Sequence, residues 1–303
     1  MSQFNELVKR NIRIYLRDKG AVFFSLLSMV IVIGLMLFFL GDMNIDSITR
    51  FLGEIPGRDA EADKKNAELL VLLWTCAGII SINAVTVTLA SLSTMIKDKT
   101  TSKINSIYTA PVSRTKITAA YITSACISSV IVCLITLAVT EIYCVLQGAE
   151  VFSLTAHLSL IGMIIVNSFT YSALMYLIAL LSKTEGAWSS IGTIIGTLVG
   201  FLGGIYIPIG GLGTEIATVM KCLPVIYGSS MFRLVMTEDI MAKTFEGVPA
   251  EAISEYSEAM GISLNAFGFD VSALGSVIIL AVCGVVFLAV GAVVTAKVKK
   301  TDR

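Results

Sequence analysis

The stretch "AVFFSLLSMVIVIGLMLFFL", residues 21–40, is a run of 20 residues that contains no charged side chain. A helix rises about 1.5 Å per residue, so a run of this length can cross the hydrocarbon core of a bilayer, which is about 30 Å thick. The run is much longer than the apolar core of a secretory signal peptide, and no A-x-A-like cleavage site follows it. The stretch therefore predicts a helix that spans a membrane and is retained.

The rest of the chain has the same character. Hydrophobic residues make up 55% of the sequence and charged residues only 15%, whereas soluble domains carry roughly 25% charged residues. Five further apolar runs are long enough to span a bilayer. The six predicted spans are about 21–40, 69–94, 117–146, 157–181, 187–209 and 271–296. The sequence thus predicts an all-α integral membrane protein with six transmembrane helices.

The distribution of Lys and Arg predicts the orientation of these spans, because short cytoplasmic loops are enriched in basic residues. Fifteen of the 22 basic residues fall in the N-terminal tail, the loop at 95–116, the loop around Lys183 and the C-terminal tail. The opposite side has seven basic and sixteen acidic residues. An even number of spans then places both termini in the cytoplasm, and places 41–68 and 210–270 outside it.

The N-terminal stretch "FNELVKRNIRIYLRD", residues 4–18, has the pattern of an amphipathic helix. Its apolar face consists of Phe4, Leu7, Val8, Ile12, Tyr15 and Leu16, and Lys9, Arg10, Arg13 and Arg17 lie opposite. Such a helix lies in the headgroup plane with its basic side toward anionic lipid. We therefore expect residues 1–20 to form an interfacial helix on the cytoplasmic face; a solvated amphipathic tail is the alternative.

The longer outer segment, 210–270, is expected to be structured. Pro208 and the glycines of "IPIGGLG", residues 207–213, break the fifth span. "LPVIYGSSMFRLVM", residues 223–236, is semi-apolar and is predicted to re-enter the membrane interface. "VPAEAISEYSEAMG", residues 248–261, predicts a surface helix that begins near Pro249 and is capped by Gly261.

Several kinds of chemistry are missing from the sequence. No Gly-Lys dipeptide occurs, so a Walker A loop is excluded, and a single His, His157, excludes sites built on several imidazoles. We predict no catalytic residue, no cofactor-binding residue, no metal ligand and no nucleic-acid partner. Glu141 is the one acid within a span, near its outer end, which disfavours an ion-coupled carrier. Glu141 either snorkels to the outer interface or contacts a departing substrate.

The fifth predicted span has a glycine at every fourth position. These residues are Gly192, Gly196, Gly200 and Gly204. Glycines at this spacing share one helix face and allow another backbone to approach closely. The face is predicted either to pack against another helix of the same subunit or to form a dimer or gate interface.

The basic loop 95–116 contains a short apolar stripe. Ile104, Ile107 and Tyr108 have helical spacing in "TSKINSIY", residues 101–108, and the Ala110-Pro111 step would end that helix. Ser113 then has the position of an N-cap for the third span. From these residues alone, the loop is either a docking element or a solvated anchor between two spans.

The segment "DKTTSKINSIYTAPVSRTKI", residues 98–117, resembles the cytoplasmic loop of ABC-2 type transporter permeases. That family has an acidic-Gly-Thr run, a short helix and a Pro-hydrophobic-Ser-Arg turn ahead of the third span. Here Pro111-Val112-Ser113-Arg114 supplies the turn, and Lys99-Thr100 replaces the usual acid and Gly. The resemblance extends over nearly the whole chain, because the amphipathic N-terminus, the six spans and the large segment before the last span follow the same order.

The resemblance implies a division of labour between subunits. A separate ATP-binding cassette subunit would hold ATP and Mg, and a second permease copy, identical or paralogous, would complete the pathway. The implied ATPase-coupling residues, around a coupling helix at 98–110, are Thr100, Thr101, Ile104, Ile107, Tyr108, Pro111, Ser113 and Arg114. The implied connecting helix within 1–20 has Phe4, Leu7, Val8 and Arg13. The helix-packing or dimer/gate face of span five, which would give that span room to move, has Gly192, Gly196, Gly200, Gly204 and Pro208.

The expected function is that of a permease subunit in an ABC exporter of the cell membrane, with residues 21–303 as the permease domain. Apart from Glu141 the spans carry no charged group, which favours a hydrophobic or amphipathic cargo, such as a drug, an antimicrobial peptide or a lipid-like molecule. The alternative is a membrane-bound immunity or sensing component that binds a peptide or antibiotic through 210–270 without pumping it.

Overall fold

The structure, a computed structural model, describes residues 3–23, 27, 34, 41–109, 112–266 and 268–301. Most of the predicted span at 21–40 lies outside the described residues, and so does Pro111. The secondary-structure elements are α1 (Gln3–Arg17), α2 (Gly41–Gly53), α3 (Ala60–Thr100), α4 (Lys103–Tyr108), α5 (Arg114–Leu146), α6 (Leu154–Leu181), α7 (Glu185–Leu202), a 3-10 turn (Ile209–Gly211), α8 (Thr214–Lys221), α9 (Pro224–Met236), α10 (Glu238–Thr244), α11 (Ala250–Ala259), β1 (Leu264–Ala266), β2 (Phe269–Val271) and α12 (Ala273–Thr301).

Helix α3 is the central element of the bundle. It packs against α2, α5, α6, α7, α9 and α10, and nearly every residue in its apolar middle is buried. Helix α12 instead packs on one side against α6 and α9, and leaves a valine-rich face exposed. An apolar helix with an exposed apolar face belongs in a bilayer rather than in water, because lipid takes the place of a protein partner.

Four of the described helices are long and apolar enough to cross a membrane. They are α3, α5, α6 and the Ala273–Thr295 part of α12. The predicted spans at 69–94, 117–146 and 157–181 lie inside α3, α5 and α6, and the span at 271–296 lies inside α12 except for its first two residues. Helix α3 extends well beyond its predicted span because "AEADKKNAE", residues 60–68, continues the helix from the cap at Asp59.

The long helices begin at side-chain caps, as elementary helix chemistry requires for their first N–H groups. The predicted N-cap Ser113 is confirmed: its Oγ accepts a hydrogen bond from Lys116 N at 3.4 Å. Ser153 caps α6 and Thr184 caps α7 in the same way. Local sequence therefore determines where these helices start.

The fifth apolar run ends as a helix earlier than its predicted boundary at residue 209. Helix α7 stops at Leu202, because the backbone turns at Gly203 and Gly204, and Gly204 has a left-handed φ of +64°. Ile205 N then donates to Gly200 O at 2.9 Å, which closes the turn. Pro208 lies in the following loop, before the 3-10 turn, and not within the helix.

Helices α8 and α9 form a bent pair that returns into the bundle. Their axes differ by 87° across the break at Cys222 and Leu223. Pro224 occupies the first turn of α9, where its missing N–H costs nothing, and most of α9 is buried against α3 and α12. The pair is apolar enough to count as one broken span, which would raise the number of candidate spans to five.

The remainder of 210–270 is a small α/β cap. Helix α11 follows Pro249 and ends at Ala259, with Met260 as its C-cap, and Gly261 has a left-handed φ of +62°, as the sequence pattern predicts for a C-terminal glycine. A two-stranded antiparallel hairpin pairs Leu264 with Val271 and leads into α12. This hairpin is a small departure from the predicted all-α class.

Candidate coupling site

Asp98 is a buried carboxylate near the basic end of α3. Its two oxygens accept hydrogen bonds from Arg10 Nη1 and Nη2, both at 2.8 Å. The hydroxyl of Tyr121 donates to the same carboxylate at 2.6 Å. Because Arg10 belongs to α1 and Tyr121 to α5, one carboxylate joins three helices.

The Arg10–Asp98 pair has the bidentate geometry of the strongest ion pairs. Asp98 is 3% exposed, while about a third of the Arg10 side chain is exposed. The hydrogen bond to Asp98 raises the pKa of the Arg10 guanidinium above its ordinary value, so Arg10 remains charged. Removing one partner of a buried pair costs about 3–5 kcal/mol, because the other charge stays behind, and the exposure of Arg10 places this pair near the lower end.

The packing of α1 reinforces this connection. Val8, Asn11 and Tyr15 are buried against the bundle, and Asn11 Oδ1 accepts a hydrogen bond from Arg10 Nη1 at 3.0 Å. Tyr15 forms a small apolar cluster with Val87 of α3 and Val132 of α5. Part of the apolar face that the sequence assigns to lipid therefore packs against protein.

The outer surface of α1 keeps the features of an interfacial helix. Leu16 is 44% exposed and Ile14 38% exposed, and Arg13 and Arg17 are exposed beside them. Phe4 and Leu7, two of the predicted contact residues, are half-buried. The helix thus presents apolar and basic groups on the surface that the bundle does not cover.

Helix α4 is a six-residue helix that follows α3 after only two residues. Ser102 makes the turn with a left-handed φ of +58°, a conformation that is uncommon for residues other than glycine. Ile104 and Ile107 are half-buried, whereas Lys103, Asn105 and Ser106 are exposed. A half-buried isoleucine retains apolar surface that a second protein can cover.

The other predicted coupling residues lie around α4. Thr101 caps the end of α3 and Thr100 precedes it, while Arg114 is the first residue of α5. Tyr108 is the last residue of α4. The structure thus places Thr100, Thr101, Ile104, Ile107, Tyr108, Ser113 and Arg114 within one connection between α3 and α5.

Two hydrogen bonds tie α7 to this end of α3. Thr100 Oγ1 donates to Glu185 Oε1 at 2.8 Å, and Trp188 Nε1 donates to Ser93 Oγ at 3.0 Å. These contacts place the start of α7 beside the connection that contains α4. The end of α3 therefore connects α4 to the start of α7.

The four predicted glycines of span five have different surroundings. A Cβ at Gly192 would meet Leu89 of α3 at 3.1 Å, and one at Gly200 would overlap the Tyr206 ring. A Cβ at Gly196 would meet nothing within 4 Å, and Gly204 lies beyond the helix end. The four glycines therefore form no continuous packing surface within the chain. Gly192 and Gly200 pack against residues of the same chain, whereas no atom of the described part of the chain covers the position beside Gly196.

Arg233 of α9 is a fully buried charge that holds the far end of α7. Its guanidinium carbon lies 4.1 Å from the centroid of the Trp74 ring, a cation–π geometry. Nη2 donates to Gly204 O at 2.8 Å, and Nη1 lies 3.3 Å from Met260 O. Among the described residues no carboxylate pairs with it. Backbone carbonyls and one aromatic face therefore stabilise the charge.

Glu141 also has partners in the structure. Its carboxylate lies 2.9 Å from His157 Nε2 and accepts a hydrogen bond from Phe152 N at 3.2 Å. His157 Nδ1 faces Ser153 O at 3.0 Å, so both ring nitrogens face acceptors, as an imidazolium would require. These contacts favour the structural interpretation of Glu141 over contact with a substrate.

The sequence alone assigns no role to Asp98, Tyr121 or Arg233, and it places Arg10 only on the polar face of a helix. Asp98 carried a usable signal, because it is an isolated acid among Lys97, Lys99 and Lys103. Arg233 carried another, as the sole charge in the apolar run 223–236. Neither signal identifies the residues that Asp98 and Arg233 contact, since these contacts join segments that are distant in the sequence.

No group of three or more His, Cys, Asp or Glu side chains within the described part of the chain is placed to hold a metal ion. Comparison with known protein families identifies the family of this chain. The sequence profile of the ABC-2 family transporter proteins matches residues 59–293, which is most of the chain and includes α3 through most of α12. No curated protein matches the sequence. The chain is a multi-pass membrane component of a transporter and belongs to the ABC-2 family of transporter proteins.

Proposed function

We propose that this protein is the permease subunit of an ATP-driven exporter in the cell membrane. It has six spans, with 21–40 as the first and α7 as the fifth, and both termini are cytoplasmic. Membership of the ABC-2 family and the concentration of Lys and Arg at one end of the bundle support this assignment. The cluster around Asp98 then faces the cytoplasm.

The observation that carries the proposal is the junction of α1, α3 and α5 at Asp98. Only Thr101 and Ser102 separate α4 from α3, so a force on α4 acts on the end of α3. The buried Arg10–Asp98 pair connects α1 to the same point. A partner that contacts α4 and α1 together would move the inner end of the central span as one unit.

The partner is a separate ATP-binding cassette subunit that holds ATP and Mg. Ile104, Ile107 and Tyr108 of α4 are the packing anchors for it, and the further coupling residues of the same loop are Thr100, Thr101, Pro111, Ser113 and Arg114. Phe4, Leu7, Val8 and Arg13 make α1 the connecting helix, whose exposed basic groups lie at the anionic lipid surface. Energy for transport comes from that subunit.

A second permease copy covers α7. Thr193, Gly196 and Thr197 are exposed on this helix, although small and hydroxyl-bearing residues in spans usually lie at helix–helix contacts. Only Trp188, Val199 and Gly200 of α7 are buried in the single chain. Two copies facing each other across α7 would enclose a pathway lined by small and apolar groups, which fits a hydrophobic or amphipathic cargo.

The proposal is tested by co-expressing the chain with an ATP-binding cassette subunit, which we expect a neighbouring gene to encode, and reconstituting the pair in vesicles. We expect the two to co-purify and to move a fluorescent amphipathic dye in an ATP-dependent manner. The matched control carries an alanine in place of the Walker A lysine of the ATPase and should abolish transport. Transport that persists with this control would contradict the proposal.

A further inference from the structure

A groove lies between α9, α10, α11 and the β-hairpin, on the side opposite to Asp98. It has a volume of about 670 Å³, which is within the range of ligand-binding clefts. Its apolar lining includes Leu234, Met241, Ile262, Leu264 and Val271. We call this feature the outer groove.

Three carboxylates line the outer groove, and each comes from a different element. Glu238 starts α10, Glu258 lies near the end of α11 and Asp270 lies in β2. All three are exposed. The groove therefore combines an apolar surface with negative groups on several sides of it.

Two acids of the outer segments that lie outside the groove have basic partners. Asp63 pairs with Arg58 at 2.6 Å, and Glu150 pairs with Lys243 at 2.5 Å. Among the residues that line the groove there is no Lys or Arg, and the hydrogen bond that Asp270 Oδ1 accepts at 2.8 Å comes from a neutral amide, Asn265 Nδ2. The carboxylates of the groove are thus available to a cationic partner.

We propose that the outer groove binds a cationic amphipathic peptide. A peptide with alternating basic and apolar side chains can cover the apolar surface and pair with more than one carboxylate, whereas a single small cation can pair with one. The acid-rich face around the groove attracts such a peptide from a distance, an effect that salt weakens. The inference rests on the proposed orientation, which places the groove outside the cytoplasm, and requires neither ATP nor the second subunit.

The test uses the full chain in nanodiscs of zwitterionic phosphatidylcholine, without an ATPase. The probe is a fluorescein-labelled peptide of alternating lysine and leucine, and binding is measured by anisotropy against empty nanodiscs of the same lipid. Replacing both acids in the Glu238→Gln/Glu258→Gln variant should weaken binding about tenfold, because each exposed ion pair contributes modestly. The Glu251→Gln/Glu255→Gln variant removes the same charge from exposed positions of α11 outside the groove and should bind as the unchanged protein does.

Three outcomes would overturn the inference. One is equal affinity of the unchanged protein and the groove variant. Another is equal binding of a peptide of alternating glutamate and leucine. The third is displacement of the peptide by a monocationic alkylammonium at the same concentration, which would identify a small amphiphile as the ligand. Because no ATPase is present, a failed binding test leaves the coupling proposal intact, and failed coupling leaves peptide binding intact.

Discussion

Arg10 and Asp98 are 88 residues apart in the sequence and are joined by two hydrogen bonds of 2.8 Å. Asp98 is almost fully buried, and Tyr121 donates a third hydrogen bond to it. The N-terminal helix is therefore attached to the central span by a specific contact as well as by apolar packing. This attachment makes α1 a structural part of the bundle.

The first prediction concerns this ion pair. Arg10→Gln should lower the free energy of unfolding by about 3 kcal/mol, because it leaves the Asp98 carboxylate buried without its cation. Arg13→Gln changes an exposed arginine of the same helix and should alter stability by less than about 0.5 kcal/mol. Unfolding in a mixed-micelle denaturant series measures both, and equal stabilities for the two variants would show that the pair does not attach α1.

The second prediction concerns the close approach of α9 to the spans. A Cβ at Gly228 would lie 2.6 Å from Ser81 Oγ and 2.9 Å from Asn167 Oδ1, both on packed helices. Gly228→Ala should therefore destabilise the protein by about 1–3 kcal/mol through overpacking. The control is Gly162→Ala in α6, where a Cβ meets nothing within 4 Å and the higher helix propensity of alanine should be neutral or stabilising. Unchanged thermal stability of Gly228→Ala would mean that α9 does not pack so deeply.

The third prediction separates the glycines of α7. Gly196→Leu should leave the stability of the single chain unchanged, because its position is open, but should reduce self-association and transport by blocking a second copy. Gly200→Leu should instead destabilise the chain, because the added side chain would collide with Tyr206. Cross-linking in membranes and a thermal-shift assay distinguish the two effects. Normal dimerisation and transport by Gly196→Leu would place that face against lipid.

The fourth prediction concerns Arg233, whose guanidinium covers the Trp74 ring. Arg233→Met should change the fluorescence of Trp74, because it removes the cation from the ring face, and should increase protease cleavage within 204–213 by removing the hydrogen bond to Gly204. Trp188→Phe is the background for this measurement, since the chain has only two tryptophans. An unchanged spectrum together with unchanged cleavage would refute the proposed role of Arg233 in holding the end of α7.

Local features of this fold could be read from the sequence, because they depend on residues close together in the chain. The cap at Ser113 is one case, and the helix between Pro249 and Gly261 is another. Both result from side-chain or backbone chemistry within a single turn. The apolar runs predict membrane helices for the same reason, since each run alone is long enough.

The contacts that organise the candidate site could not be predicted in this way. Nothing in the N-terminal stretch distinguishes Arg10, which pairs with Asp98, from Arg13, which is exposed. The sequence predicts the end of α7 too late, because the residues after Leu202 remain apolar, whereas in the structure Gly204 turns the backbone and Ile205 packs against Gly78 of α3. Tertiary packing decides these points.

The central claim is that α4 transmits the work of a separate ATPase to the spans. The most direct measurement is ATP hydrolysis by the reconstituted complex, with Ile104→Glu compared with Asn105→Glu on the exposed side of the same helix. Burying an isoleucine side chain contributes about 1.5–3 kcal/mol, so Ile104→Glu should weaken docking about tenfold or more and abolish hydrolysis stimulated by the permease. The Asn105→Glu complex should retain the stimulated ATP hydrolysis. The two variants are compared at equal amounts of permease in the membrane. Full stimulation by Ile104→Glu would contradict the claim.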